Sequence, residues 1–182
     1  MTTLITTENL LALAPGRLTP DRAAIHAAAL SPALAEGDIT TPRRIAAFMA
    51  QIAHESGGFH HLRELGSRAY FARYEGRKSL GNTKPGDGVQ FLGRGYIQIT
   101  GRYNYKQAGD ALDLPLLDNP ALAEQPDIAA RIAVWFWTER NLNALADALK
   151  FNSLTKKING GLNGIDQRRW YWELAKEIWP ED

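Results

Sequence analysis

Apolar residues recur along this chain at spacings of three and four, the period of an amphipathic helix. The clearest run is Pro42-Arg43-Arg44-Ile45-Ala46-Ala47-Phe48-Met49-Ala50-Gln51-Ile52-Ala53-His54-Glu55-Ser56, where Ile45, Phe48, Met49 and Ile52 form one stripe. Thr19-Pro20-Asp21 and Thr41-Pro42 each read as an N-cap residue followed by proline at the first helical position. The pattern predicts helices over residues 8–13, 20–30, 42–56, 104–111, 127–139, 143–150, 154–158 and 165–178. Residues 57–88 lose the period. Gly57-Gly58, Gly76, Gly81-Asn82 and Lys84-Pro85-Gly86-Asp87-Gly88 are turn signals. A loop region of that length inside a compact domain is either functional or disordered. Its aromatics, Tyr70, Phe71, Tyr74 and Phe91 just beyond it, argue for folded and functional. Short extended pieces are expected around residues 90–100. The fold is therefore expected to be mainly α, with a small irregular β and loop region in its middle.

Two positions break the patterns in a chemically pointed way. Glu55 lies three residues beyond Ile52 and seven beyond Phe48, where the stripe expects an apolar residue. It also falls in the last helical turn, before Gly57-Gly58 stops the helix. Burial and the negative end of the helix dipole both disfavour a carboxylate there, the latter by about 0.3–1 kcal/mol. A carboxyl inclined to keep its proton is what a general acid must be. A solvated glutamate at a frayed helix end is the plain alternative. The second position is the run Gly93-Arg94-Gly95-Tyr96-Ile97-Gln98-Ile99-Thr100-Gly101. Its alternation puts Ile97 and Ile99 on one side of a strand and Tyr96, Gln98 and Thr100 on the other. A phenol, an amide and a hydroxyl then face outward together, the neutral groups and aromatic faces that an N-acetylated sugar needs. A strand with a solvated polar side would look the same. The Gly-Arg-Gly start lacks the remaining features of a phosphate loop.

Glycoside hydrolysis generally uses two carboxyl groups. Glu64 follows the Gly-Gly turn nine residues after Glu55 and can face it across a cleft. Glu75 is a second possibility, although Arg73 and Arg77 on either side suggest a structural ion pair. The pair His54-Glu55 raises a zinc reading, but position 58 is glycine where a second ligand would be needed, so no metal site is expected. Trp135-Phe136-Trp137 and Trp170-Tyr171-Trp172 read as core at helical spacing, Trp179 as an anchor of the last helix, and His26 as a surface helix residue. The pairs Arg43-Arg44 and Lys156-Lys157 read as solvated faces.

Composition narrows the classes. The chain has 182 residues, a formal net charge of +1 and no cysteine. That length suits one domain. The charge is far from that of a nucleic-acid binder, and disulfides and cysteine metal sites are excluded. No apolar run is long enough to cross a bilayer. The start Met1-Thr2-Thr3-Leu4-Ile5 has no secretory pattern.

Together the motifs resemble the family 19 glycoside hydrolases, that is, chitinases and the related phage endolysins of the lysozyme-like superfamily. The resemblance runs from about Pro42 to Tyr171 in family order. It begins with Ala50-Gln51-Ile52-Ala53-His54-Glu55-Ser56-Gly57-Gly58-Phe59 and Glu64, then Asn82 and Pro85-Gly86-Asp87-Gly88. It goes on through Phe91 to Tyr105 and ends with Ile158-Asn159-Gly160-Gly161-Leu162-Asn163-Gly164 and Arg168. The resemblance implies a lysozyme-like, bilobal helical domain over residues 1–182 with the irregular region lining the cleft. It implies an inverting enzyme with Glu55 as general acid and Glu64 as general base. Gln98 and Thr100 would hold the nucleophilic water and the sugar. Tyr96, Tyr103, Asn159 and His54 would lie along the substrate, as would Arg168, which could also be structural and has Arg169 beside it. Plant enzymes place the second glutamate further along, which keeps Glu75 as a rival base. No cofactor is implied. The expected substrate is peptidoglycan, cut by an endolysin-type enzyme made in the cytoplasm and released to the cell wall. Chitin is the alternative polymer, and a non-catalytic glycan-binding protein on the same fold is the alternative class. A monomer without stable membrane insertion and without nucleic-acid partners is expected.

Overall fold

The computed structural model describes residues 4–181. Its helices are α1 (Thr7–Leu13), α2 (Pro20–Glu36), α3 (Pro42–Glu55), α4 (Arg68–Phe71), α5 (Asp87–Gln90), α6 (Arg102–Leu112), α7 (Pro126–Glu139), α8 (Leu142–Asp147), α9 (Phe151–Asn159) and α10 (Ile165–Ile178), with short 3-10 turns between some of them. The expectation of a mainly α fold is met, and among the described residues no helix is long and apolar enough to cross a membrane.

The two Thr-Pro starts behave as capping chemistry requires. Thr19 accepts a hydrogen bond from the Arg22 amide and Thr41 one from the Arg44 amide, and a proline occupies the first turn of each helix. α2 outruns its predicted end at residue 30. It passes through Pro32 to Glu36, because the apolar face Ala27, Leu30, Ala33 and Leu34 stays buried across the proline. Packing there outweighs the missing amide.

Every residue of α3 from Ile45 to Ala53 is buried. The apolar stripe read from the sequence is thus one side of a helix enclosed all round, which small alanines on the remaining sides allow. α10 lies along α3, and α7 lies against α2. Phe48 and Trp137 meet edge to face at 5.2 Å, and Phe151 stacks on Trp172 at 4.4 Å. Trp179 anchors the C-terminal end through its indole N–H to the Leu4 carbonyl at 3.2 Å. Trp170 departs from the core reading and is half exposed. The arginines 43 and 44 are not simply solvated either: Arg44 joins Asp147 at 2.7 Å and Asp38 at 2.5 Å, and Arg43 joins Glu181 at 2.7 Å.

The irregular region contains no named strand among the described residues, only short helical turns and two isolated antiparallel bridges, Arg63 with Arg94 and Arg94 with Ile99. The extended strand expected through residues 96–100 is instead a tight reversal. Gly95 (φ +78°) and Gln98 (φ +54°) both take left-handed conformations, and Arg94 and Ile99 exchange amide-to-carbonyl bonds at 3.1 and 3.0 Å. Glu64 N–H donates to the Gly93 carbonyl at 2.8 Å and Gly95 N–H to the Leu62 carbonyl at 2.9 Å, so three short segments lie side by side. Buried Arg94 braces them: its guanidinium reaches Glu124 at 2.6 Å, the Gln90 carbonyl at 2.9 Å and the Tyr105 hydroxyl at 3.0 Å.

The reversal changes the fate of Tyr96. Its ring is fully buried, its hydroxyl bonds His26 Nδ1 at 2.6 Å, and it meets Phe59 edge to face. Tyr96 therefore cannot touch a substrate, a correction to the sequence expectation. Two residues in left-handed conformations undo the strict alternation that placed it beside Gln98. His26 is corrected with it: it is a core residue, not a surface one. Burial first, and then the charge of Arg22, push its imidazole down to about 4, so it is neutral at pH 7.

Candidate active site

Glu55 ends α3, and the chain leaves it by a turn closed from several directions. Ser56 Oγ donates to the Ile52 carbonyl at 2.6 Å and accepts from Phe59 N–H at 2.9 Å, while Gly58 N–H reaches the Ala53 carbonyl at 2.7 Å. Phe59, buried at φ +63°, packs against His26 and Tyr96. This aromatic group ties the helix end carrying Glu55 to the reversal carrying Gln98 and Thr100.

The Glu55 carboxylate, one-fifth exposed, faces a cation that the hydrophobic pattern did not reveal. Buried Arg168 Nη2 donates to Glu55 Oε1 at 2.5 Å. The same guanidinium gives Nη1–H to Gln51 Oε1 at 2.5 Å and Nε–H to the Asn163 carbonyl at 3.2 Å. Gln51, one turn before Glu55 and fully buried, donates in turn to Thr155 Oγ1 at 2.8 Å. Asn159 Nδ2 shares the Asn163 carbonyl at 3.3 Å. Arg168 is thus the residue in contact with the acid, while Arg169 points away to Asn152. His54 is half buried. Its Nδ1 has no hydrogen-bond partner among the described residues, and Gly164 lies so close over the ring that a Cβ there would collide with it. Desolvation and then the charge of Arg168 lower its affinity for a proton below the usual histidine range.

Glu64 sits in a second cluster. Its Oε1 accepts the Tyr74 hydroxyl at 2.9 Å and lies 3.5 Å from Arg73 Nη2; its Oε2 accepts Gly93 N–H at 3.1 Å. The predicted pairing of Arg73 with Glu75 is not found: Arg73 is drawn to Glu64, and Glu75 has no ion-pair partner among the described residues. A Cβ placed on Gly93 would meet Gln98 Oε1 at 2.9 Å, Glu64 Oε2 at 3.1 Å and Thr100 Oγ1 at 3.3 Å. Three oxygens therefore surround one point. Their protons are directed elsewhere. Gln98 spends its Nε2–H on the Gly95 carbonyl at 2.7 Å, and Thr100 its hydroxyl proton on the Gln98 carbonyl at 3.0 Å, so the point is bordered by acceptors. Tyr103, in the first turn of α6, is more than half exposed with a free ring, and no contact ties it to either carboxylate.

The structure thus gathers Glu64, Gln98 and Thr100 into one group and Glu55, Arg168 and Asn159 into another, joined through the Phe59 turn. Gln51, Asn163, Arg73, Tyr74 and Gly93 complete them. Only Gln51, the one polar residue in the buried run Ile45–Ala53, carried a signal that the pattern could have exposed. Among the described residues no cluster of three or more metal-ligating side chains exists. A cavity of about 890 Å³ lies elsewhere, between residues 4–8 and α2, and is lined mostly by alanine, leucine, isoleucine and threonine. Chemistry and not cavity size marks the site.

A family profile described as chitinase class I, of the family 19 glycosyl hydrolases, matches residues 14–146. The chain belongs to glycoside hydrolase family 19. Among its family 19 relatives, an endochitinase of Arabidopsis thaliana is 40% identical over 141 residues, covering 77% of this chain and 47% of the plant protein. A glycosyl hydrolase family 19 domain-containing protein of Haemophilus influenzae is 36% identical over 151 residues, covering 68% of this chain and 74% of the other. The crystal structure of chitinase C from Streptomyces griseus superposes with a TM-score of 0.78 at 28% identity, covering 98% of this chain and 77% of that one. The chain spans 47% and 40% of the lengths of the two Arabidopsis thaliana endochitinases that it matches.

Proposed function

We propose that this chain hydrolyses β-1,4 bonds inside a glycan containing N-acetylglucosamine, with inversion at the anomeric carbon. The observation that carries this reading is the convergence of Glu64 Oε2, Gln98 Oε1 and Thr100 Oγ1 on one point beside Gly93. A water standing off the Gly93 backbone among these three oxygens gives its protons to acceptors and presents its lone pair outward. Glu64 takes the proton as the water attacks the anomeric carbon. Glu55 gives its proton to the departing glycosidic oxygen from the opposite face, the division of labour of inverting enzymes. Glu55 carries that proton on Oε2, since Oε1 faces Arg168; it becomes an anion as the bond breaks, and Arg168, already bonded to Oε1, stabilises that anion. Stabilisation that grows along the reaction coordinate accelerates it. A binding protein would need neither a water-orienting group nor a cation behind the acid, which argues against the non-catalytic alternative.

The polymer is the finer part of the reading. The names of the Arabidopsis and Streptomyces relatives favour chitin. Peptidoglycan, the polymer expected from the sequence, has the same N-acetylglucosamine unit and stands second. With it would stand action at the cell wall. The test is incubation with N-acetylglucosamine oligomers and with purified peptidoglycan, followed by mass spectrometry and by proton NMR of the first anomer released. Cleavage giving the α-anomer is expected. Cleavage of neither polymer, or release of the β-anomer first, would sink the proposal.

A further inference from the structure

We infer that Tyr74, held by Arg73, is a positioning residue that aims the base Glu64. The inference rests on the proposed role of Glu64. A carboxylate has two oxygens and a torsion that turns freely unless both are engaged. Here each oxygen has a donor: Tyr74 Oη on Oε1 at 2.9 Å and Gly93 N–H on Oε2 at 3.1 Å. The amide alone would leave the carboxylate free to swing about one contact. The phenol closes the second point and leaves the outward lone pair of Oε2 for the place where Gln98 and Thr100 converge.

The phenol is itself fixed. A hydroxyl can donate in several directions, and which one it chooses depends on what fills its lone pairs. Arg73 Nη2 donates to Tyr74 Oη at 2.8 Å, which commits the single phenolic proton to Glu64. Arg73 is held by its own partner: its guanidinium lies over the Tyr70 ring at 3.6 Å from the centroid and bonds the Tyr70 hydroxyl. The short helix α4 and the 3-10 turn Ala72–Tyr74 present these three residues in a row. The irregular excursion between the helices thus has a defined task, to deliver one hydrogen-bond donor to the base. The phenol's proton affinity agrees with the geometry: burial raises it above the usual tyrosine range, donation to Glu64 raises it further, and Arg73 acts in the opposite sense.

Two measurements test this. Without substrate, the Tyr74 phenol is followed by carbon-13 NMR in the wild type and in Glu64→Gln. Its titration should move to lower pH in Glu64→Gln, since the carboxylate acceptor is gone. An unmoved titration means there is no bond to Glu64 and overturns the inference. With N-acetylglucosamine oligomers, Tyr74→Phe should lower kcat about tenfold or more, the scale of one hydrogen bond to a charged group. KM should stay within about twofold, and Tm should change little. In the Glu64→Gln background the same substitution should cost less than about twofold, because there is no carboxylate left to aim. Equal losses in both backgrounds would show that Tyr74 acts independently of Glu64 and would overturn the proposal. A wild-type chain inactive on every glycan would refute the hydrolase reading, while the phenol titration would still decide the contact.

Discussion

Arg168 and Glu55 link α10 to α3, with Nη2 to Oε1 at 2.5 Å and the arginine almost wholly out of contact with solvent. A guanidinium buried this way must satisfy its donors, and it does so on Glu55, Gln51 and the Asn163 carbonyl. Replacing it removes a charge partner and three acceptors' donors together. Arg168→Ala is expected to lower stability by about 3–5 kcal/mol, the scale of breaking a buried pair from one side. Arg168→Lys should recover little of it, since one ammonium cannot span three acceptors in the fork geometry. Urea unfolding of the three proteins measures this, and a loss under about 1 kcal/mol for the alanine would contradict it.

Glu55→Gln should abolish hydrolysis, by at least the factor of about 10²–10⁴ attributed to general acid catalysis, with the circular dichroism spectrum unchanged. Activity within a few-fold of wild type would remove Glu55 from its role.

Glu64→Gln should cost far more activity than Glu75→Gln. Glu64 Oε2 borders the convergence point, whereas Glu75 has no partner of that kind. The opposite order would move the base to Glu75.

Gly93→Ala should lower kcat at least tenfold while leaving the fold in place. The new methyl would press on Glu64, Gln98 and Thr100 at 2.9–3.3 Å from their oxygens and push them off the water that they hold. The backbone there is not left-handed, so alanine meets no conformational penalty. Full activity in this variant would place the attacking water elsewhere.

Stability should fall as pH drops from about 6.5 to about 4. His26 is held near 4 in the folded chain and returns to its ordinary value of 6.5 when unfolded. Between those values the unfolded state binds the additional proton, so the folded state loses ground as pH falls; above 6.5 the contribution is complete. The amplitude is at most about 3 kcal/mol. Urea midpoints at pH 7, 5.5 and 4 for wild type and His26→Gln test it, and a variant with the same slope would exclude His26 as the source.

Much of the helical frame was legible in the chain. Thr19-Pro20 and Thr41-Pro42 marked two helix starts because capping is local chemistry, complete within four residues. Glu55 stood out because an acid interrupted an apolar stripe. Tyr96 was misplaced because alternation assumes an extended backbone, and the left-handed Gly95 and Gln98 reverse it. His26 was misplaced because an imidazole on a helix reads as polar until its partner, 70 residues away, is known.

By itself, the sequence determined most of the longer helices, the two acids nine residues apart and the Gln-Thr pair, all of which depend on neighbours in the chain. Tertiary structure alone decided that Arg168 backs Glu55 from 113 residues away, that Arg73 turns to Glu64 instead of Glu75, and that three side-chain oxygens gather against Gly93. Hydrogen bonds and ion pairs act over about 3–4 Å whatever the separation along the chain. Periodicity reports which residues are buried, and only packing reports which polar atoms meet there.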